Sequence, residues 1–137
     1  MEPYDWQTRV YYEDTDAGGV VYYANYLKFM ERARTEWLRS LGVEQDVLAK
    51  ELNILFAVRS VSIKYKKPAR FNDALTVTVV PNELKPASIL FKQDIYKQGD
   101  ETNLLTTSEV NVVCLNAEDF SPNPIPKNLY QIIQPGK

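Results

Sequence analysis

Between Tyr12 and Tyr23 the chain reads Tyr-Glu-Asp-Thr-Asp-Ala-Gly-Gly-Val-Val-Tyr-Tyr. Glu13, Asp14 and Asp16 put three carboxylates within four residues, and Gly18-Gly19 follows just before a stretch with helical periodicity. Free backbone N–H groups and the dipole at a helix start favour a developing negative charge. An ionised Asp beside such a start can attack or hydrate a carbonyl while those N–H groups hold the oxyanion. The same residues can also serve geometry alone, since Asp readily makes Asx-type turns. A calcium loop does not fit: with Asp14 and Asp16 at positions one and three, Gly18 falls at five and Asn25 at twelve, where a Glu is required.

The rest of the composition narrows the chemistry. There is no histidine and one cysteine, Cys114. That excludes Ser-His-Asp and Cys-His catalysis, histidine-based zinc sites and any intrachain disulfide. Cys114, between Val113 and Leu115, reads as a buried core thiol. Catalysis here has to rest on carboxylates, hydroxyls, lysines or backbone dipoles.

The elements that would position these groups are legible from hydrophobic period. Trp6, Thr8, Val10 and Tyr12 alternate with Gln7, Arg9 and Glu13, predicting a strand over 7–13. From about Ala24 the spacing of Tyr26, Met30, Ala33, Trp37 and Leu41 predicts a long helix, widened by Leu27, Phe29 and Leu38. Lys28, Arg32, Arg34, Glu36 and Arg39 fall on its polar side, and Gly42 stands where a C′ glycine would end it. Residues 43–52 suit a short second helix. Alternation then predicts strands around Val61–Tyr65, Leu75–Val79, Ile89–Ile95 and Val110–Cys114. Pro68, Pro81-Asn82, Pro86 and Gly99-Asp100 read as turns between them, and the proline-rich tail from Asn116 as extended. One greasy helix and an antiparallel sheet predict a two-layer α+β domain in which the sheet curls around the helix. Its uncovered edges and outer face point to an oligomer.

The length of 137 residues fits a single domain over 1–137, and a net charge of −2 argues against a nucleic-acid binder. No signal-peptide core or membrane-span run is visible, so the expected compartment is the cytosol.

The segment from Arg9 to Tyr22, followed by Ala24-Asn25-Tyr26 and Glu31-Arg32-Ala33-Arg34-Thr35-Glu36, closely resembles the Tol–Pal-associated acyl-CoA thioesterases of YbgC type. These are hotdog-fold enzymes related to 4-hydroxybenzoyl-CoA thioesterase. The likeness continues more loosely through Pro68-Ala69-Arg70-Phe71-Asn72-Asp73 and the later strands. It implies a curved antiparallel sheet around one long helix, hydrolysis of an acyl-CoA thioester, and no cofactor beyond the CoA of the substrate. The family's catalytic acid falls on Asp16, as nucleophile or general base. The backbone N–H groups around Val21, Tyr22 and Tyr23 would polarise the thioester carbonyl, and Tyr12 would line the acyl pocket. YbgC-type members usually carry His where this chain has Tyr23, whereas the hydroxybenzoyl-CoA enzymes carry Tyr. A phenol, with an ordinary pKa of about 10, would serve there as hydrogen-bonder or wall and not as proton shuttle.

For the CoA tail, two basic groups are candidates: Lys64, Lys66, Lys67 and Arg70, read as a solvated strand end, and the Lys85-Pro86-Ala87-Ser88 loop. The second aligns with a nucleotide-phosphate loop of the hydroxybenzoyl-CoA enzymes, so Lys85 and Ser88 are the substrate-binding candidates. The resemblance further implies a homodimer or homotetramer acting on acyl-CoA or an acyl-carrier-protein thioester. The rival readings are an aromatic-acyl thioesterase, favoured by Tyr23, and a non-catalytic acyl-CoA or carrier-protein binding partner.

Overall fold

The computed structural model describes residues 3–134. Strand β1 (Tyr4–Arg9) is followed by a single 3-10 turn over Tyr12–Asp14, helix α1 (Asn25–Ser40) and helix α2 (Gln45–Glu51). Four long strands follow, β2 (Ile54–Tyr65), β3 (Ala74–Lys85), β4 (Ser88–Lys97) and β5 (Leu104–Asn116), and then helix α3 (Lys127–Ile133). The strands form one sheet in the order β1-β3-β4-β5-β2, with every neighbour antiparallel. This is the α+β arrangement that the period predicts.

Helix α1 lies on the inner face of the sheet. Tyr26, Phe29, Met30, Ala33, Trp37 and Leu38 are buried along it, against Leu75, Val77, Ile89, Phe91, Ile95 and Val110 from the strands. Each large side chain so enclosed contributes about 1.5–3 kcal/mol relative to exposure. Trp37 meets Phe91 edge to face at 5.2 Å. Leu27, expected to widen the apolar stripe, is exposed instead. The helix ends as predicted at Gly42, where φ is +83°. Gly42 N–H bonds the Arg39 carbonyl (2.9 Å) and Val43 N–H the Leu38 carbonyl (3.0 Å), a Schellman closure.

Three expectations need correction. The first strand ends at Arg9, because Val10 turns to bond Asp73 and Asn72 and the chain enters the 3-10 turn. Pro81 is no turn; it sits inside β3 at a register shift between Pro81 and Glu83, where its missing N–H is tolerated. A second shift, between Val58 and Ser60 on β2, lets Phe56, Val58, Val61, Ile63 and Tyr65 share the inner face despite a break in alternation. The tail is not wholly extended: after a bridge between Leu115 and Pro122 it forms α3, which buries Leu129 and Ile133. Among the described residues no helix is long and apolar enough to cross a membrane.

Candidate active site

Asp14 and Asp16 are two residues apart but do different work. The Asp14 carboxylate accepts the Tyr11 N–H at 2.8 Å, closing the 3-10 turn, and its carbonyl accepts both Tyr22 N–H and Asn25 Nδ2 at 2.9 Å. Its role is architectural. Asp16 occupies a tight loop in which its N–H bonds the Val20 carbonyl (2.9 Å) and its own carbonyl accepts Gly19 N–H (3.0 Å). Gly19, at φ +78°, supplies the left-handed corner. Asp16 Oδ1 accepts Gly18 N–H at 2.8 Å, while Oδ2 has no partner among the described residues. The Asx turn and the open oxygen coexist in one exposed carboxylate.

The return strand of this loop runs past residues 69–70. Val20 bridges Arg70, and Val21 N–H donates to the Ala69 carbonyl at 2.8 Å. The N–H groups of Val21 and Tyr22 are therefore committed to backbone, which corrects their expected part as carbonyl-polarising donors. Among the described residues the N–H groups of Tyr23 and Ala24 are unclaimed, at the start of α1. Ala24 is the N-cap and offers no side-chain cap, and Asn25 points its amide back to Asp14 instead of capping.

Aromatic side chains surround this corner. Tyr22 and Tyr23 lie with ring centres 4.9 Å apart, Tyr23 meets Tyr65 edge to face at 6.2 Å, and Tyr65 Oη donates to the Tyr23 carbonyl at 3.1 Å. Tyr26, buried, accepts the Ala69 N–H at 3.0 Å. The Tyr23 phenol, and more weakly the Asp16 carboxylate, hold the Tyr22 phenol above its ordinary value. Burial raises Tyr26, against the lowering effect of the Ala69 N–H, and burial followed by the Tyr23 phenol raises Tyr65. These three phenols stay protonated at neutral pH and can donate. Tyr12 stands exposed with its edge against Phe71 at 5.8 Å.

Two candidate CoA contacts fall at opposite ends of the sheet. Val21, Tyr23, Tyr26, Tyr65, Lys66 and Lys67 line one open groove beside the α1 start. Lys85 and Ser88 form the β3–β4 hairpin. The turn carrying Asp16 follows β1, whose Arg9 pairs with Ala74 at the other end of β3. Twelve residues of strand separate the two, about 36 Å. One chain thus brings Lys66 and Lys67 to the Asp16 corner, and does not bring Lys85 or Ser88. Lys85 is itself exposed, with Glu83 at 4.0 Å. Arg34, expected on the solvent side of α1, turns inward and donates to Gln93 Oε1 at 2.9 Å. The sequence signal for that pair is Gln93 itself, which falls in phase with Ile89, Phe91 and Ile95 on a buried face. Among the described residues no group of three or more potential ligands is placed to hold a metal.

The antiparallel sheet with one central helix has counterparts in known proteins. Residues 18–103 match the Thioesterase superfamily. The chain belongs to that superfamily. Within it, this thioesterase is 42% identical to the acyl-CoA thioesterase YbgC of Haemophilus influenzae, over 92% of this chain and 90% of that one. It is 43% identical to the acyl-CoA thioester hydrolase YbgC of Escherichia coli O6:H1, over 90% of each chain. The crystal structure of a probable thioesterase from Bartonella henselae superposes with a TM-score of 0.85 at 35% identity, covering 91% of this thioesterase and 100% of that chain. The hotdog fold and the YbgC likeness expected from the sequence both hold.

Proposed function

We propose that this protein hydrolyses acyl-CoA thioesters, with Asp16 activating or attacking and the Tyr23 and Ala24 N–H groups receiving the carbonyl oxygen. The observation that carries the reading is the pairing of an open carboxylate oxygen on Asp16 with unclaimed backbone donors at an uncapped helix start. As a general base, Asp16 takes a proton from water whose oxygen adds to the carbonyl carbon. The C–S bond then breaks, the proton passes to the CoA sulfur, and free acid and CoA leave. As a nucleophile, Asp16 adds first, forms a mixed anhydride with loss of CoA thiolate, and water hydrolyses it. In both routes negative charge grows on the thioester oxygen, where fixed N–H dipoles act without reorganisation. The activities named for the YbgC relatives support this reading.

The test is thiol release from a panel of acyl-CoAs by the protein and by Asp16→Asn. We expect the mutant to lose about 10²–10⁴-fold, the range for a positioned acid or base. Equal turnover in both would remove Asp16 from the chemistry. After single-turnover hydrolysis in ¹⁸O water, label in the Asp16 carboxylate identifies the anhydride route with water adding at the Asp16 carbon, and a quench-trapped acyl-Asp16 adduct identifies that route whichever carbon water attacks.

A homodimer or homotetramer is part of the proposal. β2 is an edge strand with Val58, Val61 and Tyr65 exposed along it, and a second copy is the natural cover for such an edge. An aromatic acyl group is the second reading, favoured by the exposed rings of Tyr12, Tyr22 and Tyr23 on the segment that carries Asp16. The same panel, with aliphatic and benzoyl thioesters side by side, decides between them, and a carrier-protein thioester belongs in it.

A further inference from the structure

The unclaimed N–H groups of Tyr23 and Ala24 each belong to a peptide unit whose carbonyl is that of the residue before. The Tyr23 N–H shares its unit with the Tyr22 carbonyl, and that carbonyl accepts the Asn25 N–H at 2.8 Å. The Ala24 N–H shares its unit with the Tyr23 carbonyl. Helical bonding does not reach this second carbonyl. Leu27 N–H turns to the Ala24 carbonyl at 3.2 Å, and among the described residues no backbone N–H bonds the Tyr23 carbonyl. Its donor is the phenol of Tyr65, 3.1 Å away, on the last residue of β2. A carbonyl oxygen can only accept, so the phenol proton lies in that contact.

The phenol is held from both sides. Its ring meets Tyr26 at 5.4 Å and Tyr23 edge to face at 6.2 Å. Tyr65 pairs with Thr106 on β5, and the next two N–H groups, of Lys66 and Lys67, donate to the Leu105 carbonyl at 2.8 and 3.1 Å. Burial, and then the Tyr23 and Tyr26 phenols, raise the pKa of Tyr65, so its proton is in place at neutral pH.

A peptide unit couples its two ends. When its N–H gives to an anion, electron density moves toward its carbonyl oxygen, and a donor already at that oxygen binds more strongly in return. We propose that Tyr65 is a positioning residue for thioester hydrolysis: its O–H, bonded to the Tyr23 carbonyl, aims and polarises the Ala24 N–H that receives the charge growing on the thioester oxygen. This assignment rests on the hydrolase reading above. The bond tightens only as that charge develops, so its effect falls equally on kcat and kcat/KM and leaves KM unchanged. Loss of a whole oxyanion donor costs about 10²–10³-fold in kcat, and cooperativity strengthens one bond by roughly 10–30%. Loss of the phenol should therefore cost about two- to eightfold.

The test is Tyr65→Phe, which keeps the ring against Tyr23 and Tyr26, beside Tyr65→monofluorotyrosine and Tyr65→difluorotyrosine. We expect Tyr65→Phe to lower kcat about two- to eightfold with KM unchanged. Fluorine makes the phenol a stronger donor at nearly constant shape. At about pH 6, where each phenol keeps its proton, kcat should rise with each fluorine added. The amide ¹⁵N resonance of Ala24 reads the same polarisation without substrate, and should move one way in Tyr65→Phe and the other way on fluorination. An unchanged kcat in Tyr65→Phe, a loss carried in KM, a rate that does not rise with fluorination, or an Ala24 resonance that stays in place overturns the proposal. An Ala24 resonance that follows the phenol, in a protein that hydrolyses no acyl-CoA, would uphold Tyr65 as the group that polarises Ala24 and overturn the hydrolase reading alone.

Discussion

The side-chain amide of Asn25, the first residue of α1, donates to the backbone carbonyl of Asp14 at 2.9 Å across eleven residues of chain. Together with the Tyr22 N–H bond to the same carbonyl, it ties the helix start to the turn preceding Asp16.

Asn25→Ala should therefore act on rate as well as stability. We expect about 1 kcal/mol of lost stability, the net worth of one hydrogen bond. The fall in kcat should exceed what that loss explains, on the order of tenfold, because small misplacements of a reacting group are expensive. Urea denaturation beside steady-state kinetics checks both.

The two glycines of the loop should separate these effects. A Cβ on Gly18 would lie 3.3 Å from Asp16 Oδ1, so Gly18→Ala must push the carboxylate by a few tenths of an ångström. We expect kcat to fall about three- to tenfold with stability nearly unchanged. Gly19 has open space around it but a φ of +78°. Gly19→Ala should cost about 1–2 kcal/mol of stability, read as a lowered midpoint in thermal unfolding.

Cys114 gives a prediction in pH. Burial pushes its thiol up to about 11, from an ordinary 9.0, with Asn123 opposing. The native state keeps its proton where the unfolded chain has lost it. The contribution to stability is complete below pH 9 and is lost as pH rises through about 11. Urea unfolding between pH 8 and 10.5 should show a steeper loss for the parent than for Cys114→Ala, by about 1 kcal/mol per pH unit. Parallel curves for the two proteins would contradict the assignment.

Local order made much of this molecule readable. The α1 stripe and the Gly42 stop depend on neighbours three to five residues away, and the sequence carries them openly. The division of labour between Asp14 and Asp16 does not, since it is decided by Tyr22 and Asn25 folding back on one carbonyl. Nor does the commitment of Val21 N–H, whose acceptor Ala69 arrives from a distant loop. The shifts at Val58/Ser60 and Pro81/Glu83 are products of cross-strand pairing, and there a proline that reads as a turn is absorbed into a strand. Arg34 looked like one more surface charge because helical period assigns a face, whereas its direction is set by Gln93 on β4. In α3, Leu129 and Ile133 have helical spacing, but the three prolines just before them masked it.

Ala24, the N-cap of helix α1, gives it no side-chain cap, and its first turn holds no acidic residue. A cap of Ser, Thr, Asp or Asn in place of Ala is ordinarily worth about 1 kcal/mol. Heat-hardening of this protein by the most familiar helix repair, Ala24→Asp, would set a permanent anion beside the spot that the proposed mechanism reserves for the charge growing on the thioester oxygen. On that mechanism durability and turnover compete for one side chain, and alanine favours turnover.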